Sequence, residues 1–369
     1  MLTGILIEAF IKSALILFTL LTGFAYLTLL ERRFLAALQA RVGPNRVGPL
    51  GLLQPLADGL KLFFKEDIVP TNADKLVFAL APALTGIPAL IILAVVPIGG
   101  TIFIPEIVGG RIPIGPIEIG QLINVAAFEI ALPFRNLDIA ATEIQLGLSD
   151  INVGVLYILA VTSISVYGIV LAGWSSANKY AMLGGLRSSA QMISYELAMG
   201  LAIVGPILLT GSMSLGAIVD AQARIWYVFP LPFSAAIFMI TALAEINRAP
   251  FDLPEAEQEL TAGYHTEYSG MKFALFYLGE YIKMIAVSVI ATTLFFGGYR
   301  LFGLEELLPI LGPFILFGKV LVFLLGMIWV RATLPRFRYD KLMAFGWKVL
   351  LPLSLASVVV TAIVLVFWQ

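Results

Sequence analysis

Five carboxylates lie within fifteen residues of a chain that is otherwise strongly apolar. They follow a hydrophobic run directly, between Glu245 and Glu259. Charge at membrane depth costs several kcal/mol unless it is paired or faces water, so the cluster indicates a place where protons or cations are held. Repulsion between like charges makes some of these acids keep protons to higher pH, as proton exchange requires. The five are Glu245, Asp252, Glu255, Glu257 and Glu259.

The same stretch also carries the pattern of a helix start. Asp252 as N-cap, Pro254 in the first turn and Glu255 at the third position form a capping box. Acidic residues stabilise the first turn of any helix through its dipole. A well-capped surface helix is therefore an alternative to a proton site, and the sequence leaves both open.

Further charged residues lie inside apolar segments. Glu196 is an intramembrane acid without a local partner, which is a functional hypothesis in itself. Glu280 and Lys283 share a helix face and can neutralise each other. Lys319 also lacks a local partner, and we expect it to reach an acid on another helix. Glu245, Glu196, Glu280 and Lys319 could then form a proton relay.

Composition excludes most other chemistry. The chain has 369 residues, of which 13% are charged, and a mean hydropathy of +0.96, whereas soluble proteins average about 25% charged residues. A net charge of −1 gives no reason to expect a nucleic-acid partner. The absence of cysteine excludes iron–sulfur clusters, disulfides and thiol catalysis. His265 is the one histidine of the sequence, which excludes a bis-histidine haem. We interpret it as an ordinary loop residue. No metal site and no catalytic residue are expected in this chain.

Apolar runs predict an all-α, polytopic membrane protein with eight transmembrane helices, since a span needs about 20 such residues. We expect one membrane domain over residues 1–369. The segments lie near 10–30, 76–98, 151–173, 190–210, 228–245, 273–297, 312–331 and 348–368.

Basic residues predict the orientation of these spans. Sixteen lysines and arginines fall in connections on one side and four in those on the other, which places the first side in the cytoplasm or its equivalent and both termini opposite. The cytoplasmic side then has a loop at 34–75 and the acidic loop at 247–272. A small insert at 99–149 lies on the far side.

Two connections have structure of their own. Within 34–75, apolar residues from Leu52 to Phe64 recur at helical spacing and predict an amphipathic helix in the interface plane. It could anchor the chain or form the lip of a site for a lipid-soluble ligand. In the insert, alternation on both sides of Gly115-Pro116 predicts a small hairpin of residues 111–119.

Several long motifs, in one order, resemble the core membrane subunit 1, also called the H subunit, of the NAD(P)H–quinone oxidoreductase (respiratory complex I) family. The resemblance covers nearly the whole chain outside 99–149. Its motifs are Glu31-Arg32-Arg33, Arg41-x-Gly43-Pro44-Asn45-x-x-Gly48-Pro49, Leu53-Gln54-Pro55-x-Ala57-Asp58, Lys61-Leu62-Phe63, Ala190-Gln191-x-x-Ser194-Tyr195-Glu196, Glu245-x-Asn247-Arg248-x-Pro250-Phe251-Asp252-Leu253-Pro254-Glu255, Tyr264-x-x-Glu267-Tyr268 and Pro335-Arg336-Phe337-Arg338-Tyr339-Asp340.

The resemblance implies a membrane subunit that forms the quinone entrance and chamber and couples quinone reduction to proton translocation. Quinone is then a substrate, this chain binds no cofactor, and iron–sulfur clusters lie on partner subunits of the same complex. Matching positions would place Arg32, Arg41, Asp58, Lys61, Arg336 and Arg338 near the quinone chamber. The proton path would contain Glu196, Glu245, Asp252, Glu255, Glu257, Glu259, Glu267 and Glu280.

Details favour one branch of that family. Asn178-Lys179-Tyr180 and Val95-Val96-Pro97-Ile98-Gly99 are similar to cyanobacterial and plastid versions. That branch implies a thylakoid location with lumenal termini, plastoquinone, and NAD(P)H or ferredoxin as donor. A bacterial plasma membrane or a mitochondrial inner membrane is the alternative. A stand-alone cation/proton antiporter and a purely structural membrane anchor are rival functions, although no inverted repeat supports the antiporter.

Overall fold

The computed structural model describes residues 2–104, 111–114, 117–119, 123–125, 128–131, 142–252, 263–303 and 309–368. Helices dominate these residues. In chain order they are α1 (Leu2–Leu38), α2 (Gln54–Phe63), α3 (Lys75–Ile91), α4 (Gly154–Ser175), α5 (Lys179–Thr210), α6 (Leu215–Ala221), α7 (Pro232–Glu245), α8 (Gly270–Phe295), α9 (Gly312–Thr333), α10 (Tyr339–Phe345) and α11 (Leu351–Trp368).

Seven helices of the described chain are long and apolar enough to cross a membrane, so the chain is an integral, multi-pass membrane protein. The last is α10 and α11 together, joined by a π-helical turn at Gly346–Leu350. The fifth predicted span corresponds to α7, whose 14 residues extend only about 21 Å against a hydrocarbon core of about 30 Å. The predicted count of eight spans therefore stays a prediction.

Two spans extend beyond the apolar runs that predicted them. The first was expected to end near residue 30, but α1 continues to Leu38 and carries Glu31, Arg32 and Arg33 on its last turns. The fourth begins at Lys179, where the side chain of Asn178 accepts a hydrogen bond from the Tyr180 backbone. A hydropathy criterion stops at the first charges, whereas helical hydrogen bonding continues through charges that find partners.

Small residues allow the central helices to approach closely. A Cβ on Gly173 of α4 would lie 2.7 Å from the Ala181 carbonyl oxygen of α5. A Cβ on Gly184 would lie equally close to Gly263, in the 3₁₀ turn Gly263–His265. Such contacts are how helices pack in lipid, where apolar surface alone gives little association. They bring α4, α5 and the loop before α8 into one packed unit.

Helix α2 leaves its apolar side chains exposed, as an interfacial helix should. Leu56 is 61% and Phe64 79% exposed. An ion pair of 2.6 Å between Arg32 and Asp58 connects α2 to the end of α1. Among the described residues, none covers this apolar face.

The insert forms a nested antiparallel ladder. Its strands are β1 (Thr101–Ile104), β2 (Arg111–Ile114), β3 (Ile117–Ile119), β4 (Ile123–Val125), β5 (Phe128–Ala131) and β6 (Thr142–Gln145). The pairs are β1 with β6, β2 with β5, and β3 with β4. The predicted hairpin is wrong, because β2 and β3 pair with later strands; alternation identifies a strand but not its partner. The all-α prediction for the membrane domain is confirmed, and the described strands all lie in the insert.

Candidate functional site

Glu245 is the last residue of α7 and is only 4% exposed. The chain turns directly after it at Asn247, whose φ of +56° lies in the left-handed region that asparagine tolerates. The side chain of Gln191 on α5 donates to the carbonyl oxygens of Ala244 at 2.7 Å and Phe251 at 2.8 Å. These two bonds fix the turn from both sides and keep the Glu245 carboxyl inside the bundle.

Glu196 on α5 meets a hydroxyl from α4. The Ser163 Oγ contacts a carboxyl oxygen of Glu196 and also lies 2.9 Å from the Leu159 carbonyl oxygen. A serine has one hydrogen to donate and two lone pairs. The Ser163 hydrogen can be donated to an ionised Glu196. When Glu196 is protonated, the Ser163 hydrogen can instead be donated to the Leu159 carbonyl oxygen, while the Ser163 oxygen accepts a hydrogen bond from the acid. The site thus accommodates both protonation states.

Glu280 and Lys283 lie on α8 and are buried, with 8% and 6% exposure. Glu280 accepts a hydrogen bond of 3.3 Å from the Tyr264 hydroxyl. The charges of Glu245, Glu280 and Glu196 all act on Lys283. Three acids predicted from sequence, on three helices, thus form one electrostatic group around a lysine, called here the carboxylate group.

Lys319 does not belong to the carboxylate group. Its ammonium contacts the carbonyl oxygens of Phe296 at 2.6 Å, Gly298 at 2.9 Å and Arg300 at 2.5 Å, and lies 4.7 Å from the centre of the Trp226 ring. Phe296 follows Glu280 by 16 residues, or about 24 Å of helix. A relay that continues from Glu280 to Lys319 is therefore wrong, because the lysine caps the opposite end of α8.

The remaining predicted acids fall into two sets. Glu267 accepts a 2.7 Å bond from Asn178, the N-cap of α5, and so fastens the loop before α8 to that helix. Asp252 is half-buried one residue after Phe251. The other three, Glu255, Glu257 and Glu259, lie outside the described residues, and their assignment stays a prediction.

His265 lies in a loop, as expected, but it is buried. Its ring contacts those of Tyr264, Phe273 and Phe276, with centroids 3.9, 5.6 and 5.3 Å apart. Burial lowers the pKa of His265 from 6.5 to about 3. The imidazole is therefore neutral near pH 7 and serves as packing beside Glu280's partner Tyr264.

The residues predicted for the chamber are brought together only in part. Arg32 and Asp58 form the ion pair between α1 and α2, and Lys61 is exposed on α2. Arg41 is exposed and bonds to Gln39 at 2.7 Å.

Arg336 and Arg338 lie on the segment after α9. Arg338 is 80% exposed and pairs with Asp340 at 3.1 Å. Between the two arginines, the Phe337 backbone donates to the Pro250 carbonyl oxygen at 3.0 Å. The Phe337 ring also stacks on that of Phe251 with centroids 5.7 Å apart. This segment is thus attached to the turn that follows Glu245.

A buried ionic cluster escaped the sequence analysis. Arg331 donates to a carboxyl oxygen of Glu31, which is 3% exposed, and Arg248 lies 3.7 Å from the other oxygen. The Arg248 guanidinium also lies 4.4 Å from the centre of the Tyr281 ring. A cavity of about 10 Å³ adjoins the cluster, room for one water. The signal in the sequence was Glu31 itself, an acid beside a span that needs a partner.

An apolar groove runs between α1 and α9. Its volume is about 450 Å³, within the range of sites that take small molecules. Among the described residues that line it, Arg33 is the charged one, and the chamber prediction did not include it. The groove can accept an elongated apolar molecule with a polar end. Its lining residues are Tyr26, Leu29, Leu30, Arg33, Phe34 and Leu325.

Membrane-length helices around buried carboxylates define an integral membrane protein. The NADH dehydrogenase family model matches residues 11–362. The H subunit of the NADH-quinone oxidoreductase of Protochlamydia amoebophila is 49% identical over 92% of this chain and 92% of the relative. The second of the two H subunits of Geobacter metallireducens is 51% identical over 94% and 92%, and the H subunit of Thermomicrobium roseum 48% over 97% and 96%. The chain belongs to this family, the membrane H subunits of complex I.

These relatives are subunits of a multi-subunit oxidoreductase, in agreement with the resemblance inferred from sequence. They come from bacteria of several kinds, and their names specify NADH and quinone. The cyanobacterial or plastid type stays a prediction.

Proposed function

We propose that this chain forms the quinone entrance and chamber of a proton-pumping NADH–quinone oxidoreductase, and that the carboxylate group couples quinone reduction to proton translocation. The apolar groove would take the isoprenoid tail, because its lining is apolar and its one charged residue is Arg33. The chamber would continue along Arg32, Asp58 and the Arg336–Arg338 segment toward partner subunits.

One observation carries the proposal: the proposed chamber and the carboxylate group share a support. The turn after Glu245 is bonded to Gln191 of α5 on one side. On the other side it is bonded and stacked to Phe337, between the two chamber arginines. A change of charge or position in the chamber would therefore reach the carboxylates through direct contacts.

The chemistry asked of this chain is electrostatic. Reduction of a quinone to a quinol consumes two electrons and two protons, and the electrons would come from iron–sulfur clusters of partner subunits. Charge that appears in the chamber shifts the protonation of carboxylates that interact with it. Glu196, Glu245 and Glu280 would carry that shift inward. Asp252, Glu255, Glu257, Glu259 and Glu267 would supply protons from the adjoining loop.

Finer assignments belong to the same proposal. The names of the relatives favour NADH as donor of the whole complex. The cyanobacterial type, with plastoquinone, a thylakoid membrane and NADPH or ferredoxin as donor, rests on the short motifs named above. The orientation with both termini away from the cytoplasm rests on the distribution of basic residues.

The test is purification of the tagged chain in mild detergent, with mass spectrometry of the proteins and quinones recovered with it. The proposal predicts membrane and iron–sulfur subunits of one complex, together with bound quinone. Plastoquinone would support the thylakoid assignment, and ubiquinone or menaquinone would overturn it. A monomer or homodimer without redox partners would contradict the whole proposal and favour an antiporter.

A further inference from the structure

Lys283 is a buried cation to which the sequence analysis gave no role beyond pairing with Glu280. It lies within α8 and is 6% exposed. Its ammonium lies 2.6 Å from the Ser165 hydroxyl oxygen of α4. Burial of an ammonium is costly unless partners compensate it, so its environment needs an explanation.

Ser165 fixes the position of that ammonium. The hydroxyl donates its single hydrogen to the Thr162 carbonyl oxygen at 2.6 Å. Only its lone pairs then remain for Lys283, so the lysine must be the donor. Ser165 contrasts with Ser163, whose hydrogen has two acceptors to choose from. One α4 serine thus holds the cation at one place, while the other adapts to the protonation of an acid.

The elements packed around Lys283 bring acids from three helices. Glu245 comes from α7, Glu280 from α8 and Glu196 from α5, and all three act on the lysine. Nearby, the Tyr264 hydroxyl bonds to Glu280, and Arg248 packs on the ring of Tyr281. In α3, which also packs on α8, the only charged residue is Lys75 at its start. Helices α1 and α9 also pack on α8, and their charged residues Glu31 and Arg331 pair with each other. Lys283 therefore interacts with three acids from three helices.

We propose that Lys283 is a positioning residue of the proton path: a fixed positive charge common to Glu196, Glu245 and Glu280. Since one ammonium serves all three acids, negative charge can pass from one to another without leaving its counter-charge. A proton then moves the opposite way, and the total charge of the group does not change. This inference rests on the proposed function and adds a residue and a role to it.

The experiment compares whole complexes that carry Lys283→Met, Lys283→Arg or the control Lys12→Met. Lys12 pairs with Glu8 on α1, away from the carboxylate group. Quinone reduction and proton pumping in proteoliposomes are measured over roughly pH 6 to 9. For Lys283→Met we expect the pH profile of pumping to move up by about one unit or more, because a nearby positive charge favours ionised carboxylates. The Lys283→Arg complex should keep the original profile, as should Lys12→Met.

A uniform loss of rate with an unmoved profile in Lys283→Met would overturn the inference and reduce Lys283 to a structural pair. If Lys283→Met does not assemble, Ser165→Ala replaces it. That variant removes only the hydrogen bond, and we expect a smaller shift in the same direction; an unmoved profile again overturns the inference. The proposed function is tested separately, by the partner subunits and the quinone recovered with the unmodified chain.

Discussion

Lys283 and Lys319 both lie within spans, and their surroundings differ in kind. Lys283 interacts with three carboxylates, which are titratable groups. The described contacts of Lys319 include three backbone carbonyls and a tryptophan ring, which are not titratable. The carboxylates near Lys283 can change their charge, whereas the carbonyl oxygens that Lys319 contacts cannot, and these contacts close the end of α8. Depth in an apolar segment therefore does not distinguish a functional charge from a structural one; the chemistry of the partners does.

The largest effect should come from a change in the carboxylate group near Lys283. In Glu245→Gln, we expect proton pumping to fall by about a hundredfold, the scale of a lost acid–base group, while the side-chain volume is retained. Pumping is measured as acidification of proteoliposomes, with Glu8→Gln on the half-exposed end of α1 as control. Normal pumping in Glu245→Gln would place the path elsewhere.

Replacement of Lys319 should lower the stability of the complex without changing the number of protons pumped per electron pair. Lys319→Met leaves three carbonyl oxygens without their charged donor, which we expect to cost about 2 kcal/mol of folding free energy. Thermal inactivation of the purified complex measures the loss, and Lys348→Met at an exposed position is the control. The protons pumped per electron pair should stay unchanged in the complexes that survive; a lowered ratio would erase the distinction between the two lysines.

A third prediction concerns the groove between α1 and α9, through which we propose that quinone enters. Leu30→Trp would obstruct the groove between α1 and α9, and we expect KM for quinone to rise about tenfold, or about 1.4 kcal/mol. Leu15→Trp, on the exposed surface of the same helix, is the matched control. Equal KM values in the two variants would remove the groove from the quinone path.

The smallest effect should come from His265, which must stay uncharged beside the titrating groups. Its pKa is about 3 when folded against 6.5 when free, so the unfolded chain binds this proton more readily. The contribution of the neutral His265 to the free energy of unfolding is complete above pH 6.5 and decreases as the pH falls toward 3. At about pH 6 the loss is about 0.8 kcal/mol.

His265→Gln should lack this part of the acid sensitivity. Thermal midpoints at neutral and acid pH, for both proteins, give the difference. The same acid sensitivity in the variant would mean that His265 is accessible to protons when folded.

Sequence predicted much of the fold, because apolar runs of membrane length have few alternatives. It did not predict where α1 ends, since the hydropathy of Glu31 does not show that Arg331, 300 residues later, neutralises it. Nor could it find the partners of Lys319, which are backbone carbonyls common to every residue type. The partner of β2 was predicted wrongly for a related reason, because an alternating pattern identifies a strand but does not specify the strand with which it pairs.

For the candidate site, the chemistry of single residues predicted more than their spacing along the helices did. Glu196 and Glu280 were recognised because acids in apolar segments are costly, and the structure brings both to Lys283. The interpretation of Lys283 as the partner of Glu280 alone was too narrow, since helical spacing shows contacts within one helix only. The position of Arg33 in the groove was missed because a groove between two helices distant in sequence leaves no local pattern.

The central claim is that quinone chemistry changes the protonation of the carboxylate group. The most direct measurement is redox-induced infrared difference spectroscopy of the purified complex, in which protonated carboxyl groups have their own bands. We predict carboxyl bands that appear on quinone reduction in the unmodified complex and are diminished in Glu245→Gln and Glu196→Gln, but not in Glu8→Gln. A difference spectrum with the same carboxyl bands in all four proteins would contradict the account.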